Sequence, residues 1–309
     1  MSDRQTRRNF LASMAIGTAA TTVAAQLSPG RADTASPGSP ASSRIQLGAQ
    51  SLAYIQSAGT GRPIVLVHGN SSSSKAWRKQ FEGPLGAKYR LIAIDLPGHG
   101  ESGHAPTPES DYTTIGYSKI LAAFADKMGL KNTVFVGWSL GGHTVLEAAS
   151  DLPMASGLMI FGTPPVSKAK DGFAGFKSLS PAAFSAAPAD ADIAEFIAHL
   201  FAPHYAPIPP FFAADFRNTD GAARACLGAS TQTGLFKDEV ALVGSELKIP
   251  LVIASGKEEQ IVDVDYLKRL KAPTLWRGEV QVIADAGHAA QWEQAEAFDK
   301  VLDAFASSV

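Results

Sequence analysis

Ser139 stands in Gly137-Trp138-Ser139-Leu140-Gly141-Gly142, after an apolar run at 133–136 and before a helical pattern that starts at Leu140. A G-x-S-x-G pentad between a strand and a helix predicts a sharp turn with the serine hydroxyl at its apex. The flanking glycines let neighbouring backbone approach closely. A serine hydroxyl is a weak nucleophile until a base takes its proton. His288, in Asp285-Ala286-Gly287-His288, follows the last apolar run and precedes the last helical one, so it is the candidate base. The remaining histidines fit less well: His68 and His99 lie in loops after strands, His143 in the first turns of the serine's helix, and His104, His199 and His204 in loops or an insertion.

The base needs a carboxylate that fixes its tautomer and stabilises the imidazolium. The segment Ser255-Gly256-Lys257-Glu258-Glu259-Gln260-Ile261-Val262-Asp263 follows the run 251–254. A carboxylate three residues beyond the glycine selects Glu259, with Glu258 and Asp263 as rivals. Acyl chemistry also needs two backbone N–H groups for the oxyanion. Leu140, just after the serine, is one candidate. Asn70, in the loop His68-Gly69-Asn70-Ser71-Ser72-Ser73-Ser74, is the other, and its side-chain amide is a candidate for substrate contact. The turn Asp95-Leu96-Pro97-Gly98-His99-Gly100 is expected to brace the site. No His/Cys/Asp/Glu cluster has metal-ligand spacing, so no metal and no cofactor is expected.

These residues require elements that hold them. Short continuous apolar runs at 64–67, 91–94, 133–136, 158–161, 251–254 and 280–283 read as buried parallel strands, preceded by a hairpin in 45–55. Helical patterns fall at 112–128, 140–150, 264–270 and 293–305. Such alternation predicts an α/β fold with a mostly parallel central sheet and helices on both faces. The core is expected at 44–163 and 249–309. Between them, 164–248 lacks a strand run and reads as an inserted helical cap, with helices at 190–201 and 219–227. Phe201, Tyr205, Ile208, Phe211 and Phe212 in that insertion could line an apolar tunnel or simply pack the cap onto the core.

Taken together, these motifs resemble the α/β-hydrolase superfamily over about 45–305. Several stretches are similar to one branch, the metal-independent N-acyl-homoserine lactone hydrolases: His68-Gly69-Asn70-Ser71-Ser72-Ser73, Gly137-Trp138-Ser139-Leu140-Gly141-Gly142-His143, Gly162-Thr163-Pro164-Pro165-Val166, Gly256-Lys257-Glu258-Glu259 and Thr219-Asp220-Gly221-Ala222-Ala223-Arg224. The resemblance implies an α/β-hydrolase fold with an inserted cap. It also implies a Ser139–His288–Glu259 triad with Asn70 and Leu140 around the oxyanion, and hydrolysis of an ester or lactone through an acyl-enzyme. Where it implies a cap tyrosine against the lactone, this chain has Phe196. Asn70, Trp138, Phe196, Tyr205 and Phe211 are the candidate substrate contacts. The alternatives are a general carboxylesterase, another chemistry on this fold (peptidase, perhydrolase, C–C hydrolase) and a non-catalytic binding protein. Haloalkane and epoxide chemistry is disfavoured, because both need a carboxylate where Ser139 stands.

Residues 1–32 read as a twin-arginine export signal, with Thr6-Arg7-Arg8-Asn9-Phe10-Leu11 followed by a weakly apolar, Ala/Thr-rich stretch too short for a stable membrane span. Cleavage sites are offered near Ala24-Ala25 and Gly30-Arg31-Ala32. Residues 33–43, rich in Ser, Pro, Ala and Gly, read as a linker. The expected partners are the twin-arginine export machinery and a small ester or lactone, in the periplasm or outside the cell. The rest of the composition agrees with this. The 309 residues carry a formal net charge of −2, with 18% charged and 45% hydrophobic residues. That excludes a disordered chain and argues against a nucleic-acid partner. The one cysteine, Cys226, excludes an intramolecular disulfide.

Overall fold

Alternation within the apolar runs decides the layering. Ile64, Leu66, Leu91 and Ala93 join one buried cluster, while Val65, Val67, Ile92 and Ile94 join another. Successive side chains of a strand point to opposite faces, so each run feeds two cores at once. Each fully buried aliphatic side chain contributes about 1.5–3 kcal/mol. This explains why the runs are continuous in apolar residues rather than alternating with polar ones.

The computed structural model describes residues 41–309. The leader expected at 1–32 lies outside the described residues, as does most of the linker at 33–43. No helix among the described residues is long and apolar enough to cross a membrane. Eight strands form one sheet: β1 Ser42–Leu47, β2 Gln50–Gln56, β3 Pro63–Val67, β4 Arg90–Ile94, β5 Thr133–Trp138, β6 Ala155–Phe161, β7 Leu251–Gly256 and β8 Gln281–Ile283. Their spatial order is β1-β2-β4-β3-β5-β6-β7-β8. β1 and β2 are an antiparallel hairpin, β2 pairs antiparallel with β4, and every other pairing is parallel.

The linker reading overshoots here. Ser42 and Ser43 belong to β1, opposite Ile55 and Tyr54. Both are exposed serines, so the sequence carries no apolar pattern to extend the strand. The register set by the hairpin turn at Gly48 (φ +59°) extends it instead.

Helices cover both faces. α1 (Thr114–Lys127) starts two residues later than its pattern suggests, because the Thr113 hydroxyl accepts the Gly116 N–H at 2.9 Å and caps it. Its Tyr117, Leu121 and Phe124 pack on the Val65/Ile92 face beside Val145 and Leu146 of α2 (Leu140–Ala148). The chain leaves the sheet after β6 and returns at β7. Within that excursion lie α3 (Asp190–His199), α4 (Pro210–Asn218) and α5 (Gly221–Gln232). On the opposite face, α6 (Ala295–Ala306) buries Phe298, Leu302 and Phe305 at helical spacing.

The end of the expected cap does not behave as cap. Leu242, Val243 and Leu247 are buried in the same cluster as Leu158, Ile160, Leu251 and Ile253. This stretch packs with the helices on the sheet face. Its helical pieces, Glu239–Ala241 and Leu242–Glu246, are too short to show a helical period in the sequence.

Candidate active site

Ser139 ends β5 and caps α2 with φ +54° and ψ −117°, a conformation costly for a residue with a Cβ. The strain is held from three sides. Ser139 N–H donates to Phe161 O at 3.0 Å, and its carbonyl accepts the Thr163 hydroxyl at 2.9 Å and the Gly142 N–H at 2.9 Å. The turn closes only because of the glycines around it: a Cβ on Gly137 would lie 2.2 Å from Gly141 O, and one on Gly141 would lie 2.2 Å from Val67 O.

His288 follows β8, and its ring is buried beside Trp138 (ring centroids 5.9 Å apart). The Trp138 indole N–H donates to His288 O at 2.9 Å. Glu293 accepts both Gly287 N–H and Ala202 N–H at 2.8 Å, which clamps the histidine loop to the cap. Of the three rival acids, Glu259 reaches the imidazole, with Oε2 2.9 Å from His288 Nδ1. Its other oxygen accepts the Ile261 N–H at 2.9 Å. Glu258 instead faces His204 at 3.1 Å. Asp263 accepts the Asp265 N–H at the head of a short helix and lies 3.6 Å from Arg269.

With Nδ1 committed to Glu259, His288 Nε2 is the available nitrogen. It is buried and has no hydrogen-bond partner among the described residues. Ser139 and His288 line the same cavity. No hydrogen bond joins them.

The loop carrying Asn70 is braced from two directions. On the sheet side, His68 lies 2.7 Å from Gly69 O through Nδ1 and accepts the Leu96 N–H at 3.0 Å through Nε2. Accepting that N–H requires Nε2 to be unprotonated. Burial in an apolar setting acts the same way and lowers the His68 pKa to about 4. Asp95, from the turn after β4, accepts Ser74 N–H at 2.6 Å and Glu101 N–H at 2.8 Å. On the cap side, Asn70 Nδ2 donates to Ala183 O at 2.7 Å, and Ser73 Oγ donates to the buried Asp215 at 2.5 Å. Arg224 Nη1 lies 3.4 Å from Ser71 Oγ.

The Asn70 amide is therefore partly committed. Ala183 takes one of its N–H groups, Ser71 Oγ donates to its oxygen at 3.1 Å, and one donor and one lone pair remain. Its backbone N–H and that of Leu140 make no hydrogen bond among the described residues. Leu140, as the first residue of α2, has no intrahelical acceptor for its N–H.

The cavity, about 1040 Å³ including its open mouth, contains Asn70, Trp138, Ser139, Leu140, Phe196 and His288 in its lining. Glu259 sits behind His288, off the lining, with 3% of its surface exposed. Tyr205 and Phe211 do not line the cavity. Tyr205 stacks on Phe201 at 5.0 Å, and Phe211 packs on Phe212 at 4.2 Å and Trp292 at 4.9 Å. The aromatic run at 201–212 thus joins cap to core. Apolar lining comes instead from Phe173, Phe176, Phe184, Phe196 and Phe236, most of them in segments with no periodic pattern.

The sequence reading also passed over a second histidine–carboxylate pair on the cavity wall. His143 Nδ1 lies 2.9 and 2.8 Å from the two oxygens of Glu239. Its position on the serine's own helix was the available signal; Glu239, nearly a hundred residues away, offered none.

Residues 62–295 match the α/β-hydrolase fold family, and the chain belongs to it. It is similar to crystal structures of the N-acyl homoserine lactonase AidH. With an AidH variant complexed with N-hexanoyl homoserine lactone it shares 32% identity at a TM-score of 0.81, covering 86% of this chain and 97% of that one. An esterase from Exiguobacterium antarcticum shares the fold at a TM-score of 0.71 and 18% identity, over 86% of this chain and 99% of that one. Among curated proteins, the pimeloyl-[acyl-carrier protein] methyl ester esterase of Xylella fastidiosa is 34% identical over 112 residues, 36% of this chain and 40% of that protein. A Mycobacterium phage D29 protein named as a non-heme haloperoxidase is 32% identical over 99 residues, 32% of this chain and 34% of that protein. The chain thus aligns with well under half the length of these curated relatives.

Proposed function

We propose that this protein is a serine hydrolase that opens the lactone ring of N-acyl homoserine lactones through an acyl-enzyme. Ser139 Oγ attacks the lactone carbonyl while His288 Nε2 takes its proton. The carbonyl electrons move onto oxygen, which rests on the N–H groups of Asn70 and Leu140. Collapse of the tetrahedral intermediate breaks the ring C–O bond, and the imidazolium returns the proton to the leaving alkoxide. That alkoxide stays tethered to the acyl group. Water, deprotonated by His288, then releases the acid and restores Ser139. Glu259 accepts the Nδ1–H bond throughout and stabilises the imidazolium.

The observation that carries this reading is the meeting in one largely apolar cavity of a strained serine, a carboxylate-held histidine with a free Nε2, and two unused N–H groups. Similarity to AidH supports the lactone, and the apolar lining suits an acyl chain. The reading includes export: with the twin-arginine leader, the substrate pool is periplasmic or extracellular.

The test is a panel of N-acyl homoserine lactones and p-nitrophenyl esters of rising chain length, with products read by mass. Ring-opened lactone is expected, and Ser139→Ala should lower turnover about 10⁴-fold or more. Turnover of simple esters alone would make the protein a general carboxylesterase. Near-normal activity in Ser139→Ala would overturn the mechanism.

A further inference from the structure

The cavity wall carries a polar pair that the proposed chemistry leaves unused. His143 lies one turn into the helix that Ser139 opens, and its N–H approaches Ser139 O at 3.3 Å. Its ring lines the cavity with 13% of the side chain exposed, while Glu239 is 1% exposed. Glu239 is itself fixed, because Oε2 also accepts the Val166 N–H at 3.0 Å. The ring of Phe176 lies 6.2 Å from that of His143. Nδ1 is spoken for by Glu239, and no protein group among the described residues hydrogen-bonds Nε2.

This is an expensive arrangement for a wall that is otherwise mainly apolar. Two ionisable groups are withdrawn from water, and a buried pair of this kind does little for net stability. Burial works against the charged imidazole, but the charge and hydrogen bond of Glu239 prevail, and Glu147 adds to them, so the His143 pKa is raised. Lys237 balances that side: its backbone N–H donates to Glu147 Oε1 at 2.6 Å, and its ammonium reaches the Glu147 carbonyl and the Ser150 hydroxyl. In the protonated imidazole, the form that Glu239 favours, Nε2–H is an oriented donor on the wall of the cavity that Ser139 also lines. The other polar groups near Ser139 are less free: Asn70 is half committed to the cap, and His288 is the base.

We propose that the His143–Glu239 pair is the recognition point for a second carbonyl on the substrate, so that the site selects esters and lactones bearing an acylamino group on the carbon next to the reacting carbonyl. His143 Nε2–H would donate to the amide oxygen, and the acyl chain beyond it would run along Phe173, Phe176 and Phe236. The inference rests on the lactone-opening reading above and deepens it, because it assigns the residues that read the acylamino group.

The test uses two p-nitrophenyl esters of matched length and identical leaving group, the N-butanoylglycinate and the heptanoate; the acylamino group activates its own ester, so the readout is the change in their ratio between variants. Wild-type enzyme should prefer the amide-bearing ester in kcat/KM. His143→Leu should lower that preference about ten- to a hundredfold, the worth of a charge-assisted hydrogen bond. The loss should appear in KM for the amide ester and leave kcat for the heptanoate within threefold. His143→Gln keeps an N–H donor and should recover part of the preference. Equal losses on both esters would mean that the pair only pins the elbow helix to the 164–166 segment, and the proposal would fall. An unchanged preference in His143→Leu would overturn it as well. Both of those outcomes leave the hydrolase reading intact. The hydrolase reading fails on a different result, turnover of both esters that survives Ser139→Ala.

Discussion

Gly162 is the residue at which the site can be perturbed most cleanly without touching a reacting group. It follows β6 with φ +57°, and a Cβ there would lie 2.8 Å from Cε1 and 2.9 Å from Nδ1 of His288. Ordinary carbon contacts are about 3.5–4.0 Å. In Gly162→Ala the imidazole must therefore retreat by about 0.7–1 Å, away from the position in which Nδ1 meets Glu259 at 2.9 Å. A misplacement of that size costs about 10² in rate. The positive φ adds about 1–2 kcal/mol of strain.

Gly129→Ala separates the two effects. Gly129 has nearly the same φ, +61°, but a Cβ there meets nothing within 4 Å, so it carries the strain alone. Urea denaturation should show both variants destabilised, Gly162→Ala the more. With p-nitrophenyl butyrate, Gly129→Ala should keep its kcat and Gly162→Ala should lose about 10²-fold. If folded Gly162→Ala retains kcat within threefold, the imidazole is not held against this glycine and the account of its positioning is wrong.

Two further perturbations probe the supports of the site. Arg224 donates to Ser185 O at 2.8 Å and Phe216 O at 3.1 Å, besides its contact with Ser71. Arg224→Met fills the space but leaves those two carbonyls, the Phe216 one buried, without their donor, so it should cost roughly 3–6 kcal/mol at about 1.5–3 per charged hydrogen bond, read by urea unfolding; an unchanged midpoint would count against the cap–loop tie. His99 is buried neutral with its pKa lowered to about 3. As pH falls below 6.5 the unfolded chain gains a proton that the native state refuses, so stability drops with pH. Its share between pH 6.5 and 5 is about 2 kcal/mol. His99→Leu should flatten the pH dependence of stability by about that amount relative to wild type. The comparison must be differential, because Asp299, raised to about 6 by burial, acts in the opposite sense from pH 6 downward.

Local chemistry made much of this protein legible from its residues in order. Continuous apolar runs specify buried strands because both faces of a parallel sheet are covered. The pentad around Ser139 specifies a strand-to-helix elbow because a Cβ at Gly137 or Gly141 would lie 2.2 Å from a backbone oxygen. Glu259 lies three residues past Gly256, the last residue of β7, and meets His288, while the rival acids are drawn to His204 and to a helix cap.

What lay beyond the sequence were contacts made across large separations. The aromatic run at 201–212 looks like a tunnel, yet whether a phenylalanine lines a cavity or seals cap to core depends on what stands opposite. Here Trp138 and Trp292 stand opposite Phe212, and Trp292 also faces Phe211. His143 reads as an ordinary helical residue until folding brings Glu239 to 2.8 Å, ninety-six positions on. The hydroxyls and amide of the Asn70 loop read as free until Asp215, Arg224 and Ala183 engage them. Sequence alone singled out the candidate reacting groups, Ser139, His288 and a short run of acids, because each stands in a local motif of a few neighbouring residues. Tertiary structure alone decided the walls around them and what those walls can recognise, because a pocket is made by segments that share no local pattern.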